Sequence, residues 1–527
     1  MKKTEKTSLN MNRRAFIRGA SLVAATAGLA ISRPIYALPG ETRRHPKAIA
    51  QMELDLNQIH KWDDSNGDTW DPFWADDDAL YSFNCDGRGF GKAPKNFAFN
   101  RFEGSGIEEL QGFQVNSMDE YGLANQHGPD NATWKACGQE CIDGIFYAFV
   151  ARNVYGNESH DPLMRQTAFN ASLIKSEDRG RTWVRSAADN YARPMWPDPS
   201  FGAPFFVHFG KNGGSLSIDR SNEYVYAVST NGFWNDGDSL ILGRVPRREL
   251  PKLDASRWEY FKGGNGLSDG AWSTQIPDAQ PILKSPARCG QGPITYIPAL
   301  GVYLLISWYN PSPLRKWYQP EEMKYDFYQA GHPWGPWALL SSFSERFLAA
   351  GSNMYGPALC PKFQRVEGDR TRVILFTSGC QFEDEPSGIY KAWCIPVLLH
   401  STVLPSARSI NYNDPKITRK GDWSAPTSAA NRGDDVLTGD AADASINLSF
   451  EGSGIEYIAR KAAGFGDVEI IVDNRQPATV SLGTKNFPAL SGVSVFRVLN
   501  LNGKQHSLKA RSLGNGPINL QSLNIYE

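Results

Sequence analysis

Short apolar runs bounded by turn residues recur along the chain, and none of them continues into a helical pattern. Each run has the length of a strand and lies between Gly, Pro, Asn or Asp, which is typical of buried β-strands. Representative runs occupy residues 144–151, 223–229, 301–307 and 372–378. The pattern therefore predicts an all-β fold.

The apolar runs recur at irregular intervals of roughly 60 to 80 residues, and each is followed by a further candidate strand. A unit of that size corresponds to one four-stranded propeller blade with long loops. Five such units cover residues 70–89, 135–183, 205–261, 272–340 and 355–399. We therefore expect a five-bladed β-propeller over residues 50–404.

The character of the sequence changes after Pro405, where aromatic residues become fewer and the alternation of apolar and polar positions becomes cleaner. Clean alternation is typical of a two-layer β-sandwich with one face of each sheet in solvent. It is present in residues 443–450, 452–458 and 467–473. Residues 405–527 are therefore expected to form a separate β-sandwich domain.

The N-terminus has the features of an export signal. Arg13 and Arg14 precede a short apolar stretch, residues 20–31, which is followed by a small-residue exit site ending at Ala37. This order is that of a twin-arginine (Tat) signal peptide over residues 1–37. The stretch is shorter than the roughly 18 residues that a membrane-spanning helix needs. We therefore expect export by the Tat translocase to the periplasm or the medium, without a stable membrane anchor.

Charge and composition limit the classes of partner that the chain is expected to bind. The chain has 55 basic and 56 acidic residues, a balance that gives no indication of nucleic acid or membrane lipid as a partner. Its 49 Gly and 33 Pro fit many short strands joined by turns, and its 15 Trp supply aromatic faces.

The seven cysteines are an odd number and do not indicate a disulfide framework for so large a chain. Cys137 and Cys141 form the one close pair, and we interpret them as buried structural thiols rather than zinc ligands. No cofactor is expected. A calcium ion on a propeller axis would be compatible with the fold, but no ligand string specifies one.

Carboxylates and tryptophans are interleaved in the first unit. Aromatic faces stack on sugar rings while carboxylates bind hydroxyls or transfer protons, so this mixture favours a carbohydrate ligand. Asp68, Asp71 and Asp86 are the catalytic candidates because they flank presumed strands, and Trp70 and Trp74 are candidate sugar-binding residues. The other aspartates of this unit, Asp76 to Asp78 among them, are interpreted as ordinary solvated turn residues.

Glycoside hydrolysis needs one carboxylic acid to protonate the leaving oxygen and one carboxylate to direct water or to attack the sugar. Two aspartates at neighbouring strand ends can supply that pair. Glu140 is a further candidate acid, because burial beside Cys141 would raise its pKa, although a structural carboxylate is the alternative. Asp236 and Asp238 flank a turn and are candidate substrate contacts.

The segment at residues 176–183 has the pattern Ser-x-Asp-x-Gly-x-Thr-Trp. It resembles the Asp-box of sialidase-like propellers, in which the Asp and Gly shape a hairpin turn and the Trp packs between blades. The resemblance implies a structural rather than a catalytic role for Asp178.

Short segments spread over residues 60–400 resemble the five-bladed glycoside hydrolases of the DUF4185 family, which includes endo-D-arabinanases. They lie at residues 67–68, 80–87, 238–246, 257–261 and 331–337. The resemblance implies catalysis by two aspartates of the first blade, and Asp68 and Asp86 occupy the matching positions. The chain departs from the family's Gly-Asp-Thr-like ending at Cys85 to Gly87, which leaves the substrate open. Asp71, followed by Pro72, resembles the general base of the wider arabinanase-like propellers and competes with Asp68.

The C-terminal unit resembles the galactose-binding-like sandwiches appended to carbohydrate-active enzymes. The segments that carry this resemblance are residues 412–423, 450–455, 472–473 and 502–508. It implies a carbohydrate-binding module, the alternative being a domain that only packs on the propeller.

The sequence thus predicts an exported glycoside hydrolase acting on a polysaccharide, with arabinofuranose implied by the family resemblance. A polysaccharide lyase is the first alternative, with His208 or Tyr296 as base and Arg288 to neutralise a uronate. A carbohydrate-binding protein without catalytic acids is the second.

Overall fold

The computed structural model describes residues 48–155, 165–214, 223–264, 270–311, 323–344, 354–379, 388–425, 436–440, 443–484, 489–503 and 505–527. The Tat signal peptide expected at residues 1–37 lies outside these residues. Strands dominate the described residues, so the predicted all-β fold class is confirmed. Among these residues, no helix has the length and apolar character needed to cross a membrane.

The strands before residue 405 form four sheets. We divide the largest sheet at the parallel pairing of two of its strands, which gives five antiparallel groups numbered in chain order. Two short strands precede them: β1 (Gln51–Leu54) and β2 (His60–Lys61). Group 1 contains β3 (Asn66–Asp68), β4 (Phe73–Trp74), β5 (Leu80–Gly89), β6 (Lys95–Glu103) and β7 (Gln111–Asn116). Group 2 contains β8 (Thr133–Ile142), β9 (Ile145–Val154) and β10 (Thr167–Ser176).

The remaining three groups follow in the same way. Group 3 contains β11 (Pro204–His208), β12 (Tyr224–Thr230), β13 (Gly237–Pro246), β14 (Glu259–Gly263), β15 (Ala271–Ser273) and β16 (Leu283–Cys289). Group 4 contains β17 (Ile294–Ile297), β18 (Val302–Tyr309), β19 (Lys324–Ala330) and β20 (Ala338–Ser344). Group 5 contains β21 (Met354–Glu367), β22 (Arg370–Gly379) and β23 (Ala392–His400).

Helices are short and lie between strands. The single α-helix among the described residues, α1 (Ala187–Ala192), starts with a capping box between Ser186 and Asp189. The other helical turns are of the 3₁₀ type, at Leu56–Gln58, Ile107–Glu109, Asp119–Tyr121, Lys211–Gly213, Arg247–Lys252, Ala255–Arg257 and Ile276–Asp278.

The five groups are joined into a closed ring through their early strands. β4 contacts β8, β8 contacts β11, β17 contacts β21, and β21 contacts β4. Between groups 3 and 4 the contact is a parallel pairing of β11 with β17, in which His208 lies opposite Thr295. A closed ring of antiparallel groups is the arrangement of a β-propeller. β1 pairs with β23, so the start of the chain completes the last group.

The strands after residue 405 form three antiparallel sheets of their own. They are β24 (Ala407–Asn411), β25 (Thr418–Lys420), β26 (Trp423–Ser424), β27 (Leu437–Gly439), β28 (Ser445–Glu451), β29 (Gly454–Lys461), β30 (Asp467–Val472), β31 (Ala478–Ser481), β32 (Leu490–Val498), β33 (Gln505–Ser512), β34 (Ile518–Leu520) and β35 (Ser522–Tyr526). Where the structure describes them, none pairs with a strand of the ring. Residues 47–527 nevertheless form one compact unit, so the domain boundary at residue 405 stays a prediction.

The Asp-box forms the tight turn that its resemblance implied. The Asp178 carboxylate accepts hydrogen bonds from the Ser176 hydroxyl at 2.8 Å and from the Thr182 amide at 2.9 Å. Trp183 packs on Phe83 and Phe99 of group 1, with ring centroids 5.4 and 5.2 Å away. The box therefore fastens group 2 to group 1.

The described cysteines, including Cys137 and Cys141, are buried and carry free thiols. Cys380 lies outside the described residues.

Candidate functional site

Asp68 and Asp86 occupy adjoining positions on two paired strands. Asp68 ends β3, and its partner across the strand pair is Cys85 of β5, the residue before Asp86. The pairing shifts register between Asn66 and Asp68, which marks an irregularity at this point of the sheet. The structure therefore brings together the two aspartates that the family resemblance selected.

The backbone around this pair is strained. Asp86 has φ of +45° and Thr69 has φ of +51°, a left-handed conformation that non-glycine residues rarely adopt. Gly87 has to be glycine, because a Cβ there would come within 2.5 Å of the Asn66 carbonyl oxygen. Such strain persists only where surrounding contacts hold it, and it concentrates at functional sites.

The Asp68 carboxylate is buried and receives three hydroxyl groups. Its Oδ2 accepts hydrogen bonds from Tyr355 and, at 3.0 Å, from Tyr390, while its Oδ1 accepts one from Thr69 at 3.1 Å. The Tyr390 hydroxyl also lies 3.1 Å from the backbone carbonyl of Asp86. Asp68 is only 5% exposed, so its orientation is fixed by groups 1 and 5 together.

The Asp86 carboxylate is more accessible and is paired with a buried lysine. Its side chain is 11% exposed, and that of Lys135, which contacts Asp86 Oδ2, is 3% exposed. The Tyr155 hydroxyl lies 3.1 Å from Asp86 Oδ1 and 3.2 Å from the Lys135 ammonium. Tyr155 also contacts the exposed Asn125, so the site reaches solvent on the Asp86 side.

Burial and the neighbouring Asp86 carboxylate raise the pKa of Asp68 to about 6. Burial alone would lower the pKa of Lys135, but Asp86, Tyr155 and Asp68 hold it well above its ordinary value. Lys135 is therefore a permanent cation beside Asp86. The arrangement places a carboxyl that retains its proton up to about pH 6 next to a second carboxylate that contacts a buried ammonium group.

A second group of ionisable residues lies deeper in the ring. His208 bridges two carboxylates, with Nε2 2.8 Å from Asp71 Oδ1 and Nδ1 2.8 Å from Glu140 Oε2. All three residues are buried, and Asp71 Oδ2 has no hydrogen-bond partner. The bridge joins groups 1, 2 and 3.

Both nitrogens of His208 face a carboxylate, and both can donate only when the ring is the imidazolium. Burial would lower the pKa of His208, but Asp71 and Glu140 raise it to about 10. Burial raises the pKa of Glu140, as its sequence context predicted. The predicted alternative for Glu140, a structural carboxylate, agrees with its burial and its contact with His208.

Neither of the two tryptophans that were predicted to stack on sugar has an open ring face beside Asp68 and Asp86. Trp70 is fully buried, which does not fit the expected stacking role. Trp74 is partly exposed, but the ammonium groups of Lys211 and Lys362 lie 5.7 and 5.8 Å from its ring centroid. Trp74 also pairs with Leu80 at the start of β5, about 20 Å along the strand from Asp86.

Asp236 and Asp238 both accept hydrogen bonds from protein groups. Asp236 is fully buried and accepts a hydrogen bond from the Asn310 amide at 2.8 Å. Asp238 accepts from Arg165 at 3.1 Å and from the Ala287 amide at 2.9 Å. The substrate contact expected of Asp236 does not fit its complete burial, whereas the Asp238 side chain is 39% exposed and its expected contact stays a prediction.

The residues of the lyase alternative do not form one site. His208 lies opposite Thr295, so Tyr296 is on the other face of that strand pair, where its ring packs on Phe209. Arg288 is exposed, and its guanidinium lies 5.4 Å from the ring of Tyr309. The convergence expected of His208, Tyr296 and Arg288 is therefore wrong.

Sequence reasoning missed most partners of the aspartate pair. The missed residues are Thr69, Lys135, Tyr155, Tyr355 and Tyr390. Lys135 alone had a usable local pattern, because a lysine inside an apolar strand has to be paired with a carboxylate. The structure shows no cluster of three or more His, Cys, Asp or Glu suited to a metal ion among the residues it describes.

A family model described as Domain of unknown function (DUF4185) matches residues 153–391. The chain is similar to this family over less than half of its length, and the matched segment begins after Asp68 and Asp86. It includes Tyr155, Tyr355 and Tyr390. No curated protein matches the chain.

Several solved structures are distantly similar. An exo-β-1,3-galactanase from Phanerochaete chrysosporium has 13% identity and a TM-score of 0.37, over 88% of this chain and 96% of that chain. The α-L-arabinofuranosidase PaAbf62A from Podospora anserina has 9% identity and a TM-score of 0.35, over 70% of this chain and 95% of that chain. The fold class follows from the strands described above rather than from these similarities.

Proposed function

We propose that the protein is an exported glycoside hydrolase that cleaves a polysaccharide, with Asp68 as general acid and Asp86 as the second carboxylate. The observation that carries the proposal is the pairing of a carboxyl whose pKa is about 6 with a neighbouring carboxylate that is fixed to a buried lysine. Environments that separate the protonation states of two adjacent carboxyls are those in which acid and base roles divide.

In the proposed reaction, the Asp68 carboxyl donates its proton to the leaving glycosidic oxygen. The Asp86 carboxylate directs water to the anomeric carbon or attacks it. Asp68 is the less accessible of the two, so its contact with substrate requires a Tyr355 or Tyr390 hydroxyl to turn away from Oδ2. Lys135 contacts Asp86 and is a positioning residue.

Arabinofuranose-containing polysaccharide is the proposed substrate class, on the strength of the sequence resemblance to the family that includes endo-D-arabinanases. Export through the Tat translocase is proposed from the twin arginines at the N-terminus. We also propose that the sheets after residue 405 bind carbohydrate.

The test is the chemistry of the products that the mature protein releases from arabinan, arabinogalactan and uronate-containing polymers. Hydrolysis yields new reducing ends without new ultraviolet absorbance, and this is the expected result. An unsaturated product would identify a lyase, and absence of turnover on every polymer would leave a binding protein. Either of these outcomes contradicts the proposal.

A further inference from the structure

A pocket of about 510 Å³ lies on group 1. Its walls come from the turn between β5 and β6, from β7 and from the segment that follows β7. We name it the Phe113 pocket after its most exposed aromatic residue, which is 47% exposed. Its volume is within the range of roughly 300 to 1,000 Å³ that is usual for small-ligand sites.

One lining residue of the pocket lies close to the candidate site in the sheet. Lys95, one of its lining residues, lies directly opposite Gly87, the residue after Asp86. From the spacing of paired strands and of consecutive residues, the Cα atoms of Lys95 and Asp86 are at most about 9 Å apart. One polysaccharide chain can therefore reach both places.

The lining has the mixed chemistry that sugars require. Phe113 and Phe90 contribute aromatic rings, and Lys92, Gln114 and Asp119 contribute charged and amide groups that can bind hydroxyls. A protein partner would favour a more apolar centre with few charged groups.

Two side chains that line the pocket, those of Phe90 and Lys95, are already held in place by other protein groups. Phe90 packs on Trp70 with ring centroids 5.7 Å apart, and its ring covers Gly112, where a Cβ would clash at 2.0 Å. Lys95 is held by an ion pair with Asp119 at 2.5 Å. Because these groups are already ordered, a ligand would lose little free energy in arranging them.

We infer that the Phe113 pocket is a sugar subsite that holds one unit of the glycan chain whose scissile linkage lies at Asp86. The inference rests on the proposed function. Phe113 supplies the stacking face, and the lysines, Gln114 and Asp119 bind ring hydroxyls. The buried Trp70, which cannot stack on sugar itself, supports Phe90 from beneath.

The experiment measures retardation in native gels that contain arabinan or arabinogalactan, together with kcat/KM on long and short oligosaccharides cut from the polymer that is turned over. The variants are Phe113→Ala and, as a matched control, Leu339→Ala, an exposed apolar residue of group 4 that is 53% exposed. We expect Phe113→Ala to weaken retardation and to lower kcat/KM on long substrates by about tenfold, with little effect on the shortest one. Leu339→Ala should match the wild type.

Other outcomes separate the subsite from the proposed function. Hydrolysis that Asp86→Asn abolishes, but that Phe113→Ala leaves unchanged for every chain length, overturns the subsite and keeps the hydrolase. Retardation that depends on Phe113, without turnover of any glycan, would support the pocket as a glycan-binding site and contradict the proposed hydrolase activity. Absence of both retardation and turnover overturns both.

Discussion

Burial determines which of two neighbouring aspartates retains a proton. Asp68 lies under two tyrosine hydroxyls with almost no exposed surface, whereas Asp86 reaches solvent and faces the Lys135 ammonium. Adjacent carboxylates repel one another, and this repulsion raises the pKa of the group with the less polar surroundings. The division of roles proposed for the pair follows from this difference.

The first prediction concerns the pH dependence of activity. Asp68 acts only while protonated, so kcat/KM should fall as the pH rises through about 6, the pKa of Asp68. The measurement is a pH profile of kcat/KM on the polymer that is turned over. A profile that stays flat from pH 5 to 8 would remove Asp68 from the acid role.

The variant Tyr390→Phe tests the same falling limb of the pH profile, the decrease of kcat/KM as the pH rises. The Tyr390 hydroxyl donates to the charged form of Asp68 and lowers its pKa, so its removal should move the falling limb to higher pH. A limb that moves to lower pH would mean that a different group titrates.

The second prediction concerns the buried bridge. His208→Ala leaves the buried carboxylates of Asp71 and Glu140 without their cation, and such losses cost about 3–5 kcal/mol of unfolding free energy. The pKa of His208 is raised to about 10, so its contribution is full below pH 6.5 and lost as the pH rises through 10. Urea unfolding at pH 7 and at pH 10 measures both effects. A loss below about 1 kcal/mol at pH 7 would show that the bridge is not charged.

The hydrogen bond from Tyr355 to Asp68 shows why part of the site could not be predicted from the sequence. Asp68 and Asp86 could be selected because they lie within one short acidic segment that resembles a family pattern, although the family model itself matches only residues 153–391. Tyr355 contacts Asp68 from 287 positions further along the chain, and no local pattern points to it. Glu140 and His208 were each selected, but for separate roles rather than as partners.

At the scale of the element, strands were predictable because burial of a strand leaves a local apolar run. The run at residues 144–151 corresponds to β9 (Ile145–Val154), and that at 372–378 corresponds to β22 (Arg370–Gly379). The Asp-box was predictable for the same reason, since its turn and its tryptophan are consecutive in sequence. Side-chain exposure was less predictable, as the buried Trp70 shows.

The third prediction tests the Asp-box as a structural turn. Asp178→Ala removes the acceptor of the Ser176 and Thr182 hydrogen bonds and should lower the unfolding free energy by about 1 kcal/mol. Asp178→Asn keeps one acceptor oxygen and should cost less. Activity per folded molecule should be unchanged in both variants, and a specific loss of activity would contradict the structural role.

At the scale of the whole molecule, the strand pairing that completes the last group could not be predicted from the sequence. The fifth predicted unit, residues 355–399, lacked its outer strand because β1 supplies it from the start of the chain. Such a pairing joins residues more than 300 positions apart and leaves no local pattern. Among the described residues, no strand after Pro405 pairs with a strand of the ring, and the domain boundary expected there stays a prediction.

The fourth prediction concerns the link between the ring and the C-terminal sheets. Arg497 of β32 bonds Glu53 of β1 at 2.8 and 2.9 Å and Glu456 of β29 at 2.9 Å. Burial would raise the pKa of Glu53, but His400 and Arg497 lower it to about 2. Arg497→Met should therefore cost about 2 kcal/mol of unfolding free energy at pH 7.

The control for this prediction is Arg511→Met. Arg511 pairs with Glu469 but is 51% exposed, so its loss should leave the unfolding free energy almost unchanged. The stabilisation by Glu53 is present above its ordinary pKa of 4.5 and is lost as the pH falls through about 2. Equal costs for the two arginine variants in urea unfolding would show that Arg497 contributes no more than a surface ion pair.

The central claim is that Asp68 and Asp86 together cleave a glycosidic bond. Its most direct test is the rate of reducing-end release by the wild type, Asp68→Asn and Asp86→Asn on the polymer that the wild type cleaves, with Asp178→Asn as a folded control. We expect a loss of about 10³-fold or more in both site variants and a near wild-type rate in the control, since an essential acid or base contributes about 10²–10⁴-fold. Activity that survives in either folded site variant at close to the wild-type rate would contradict it.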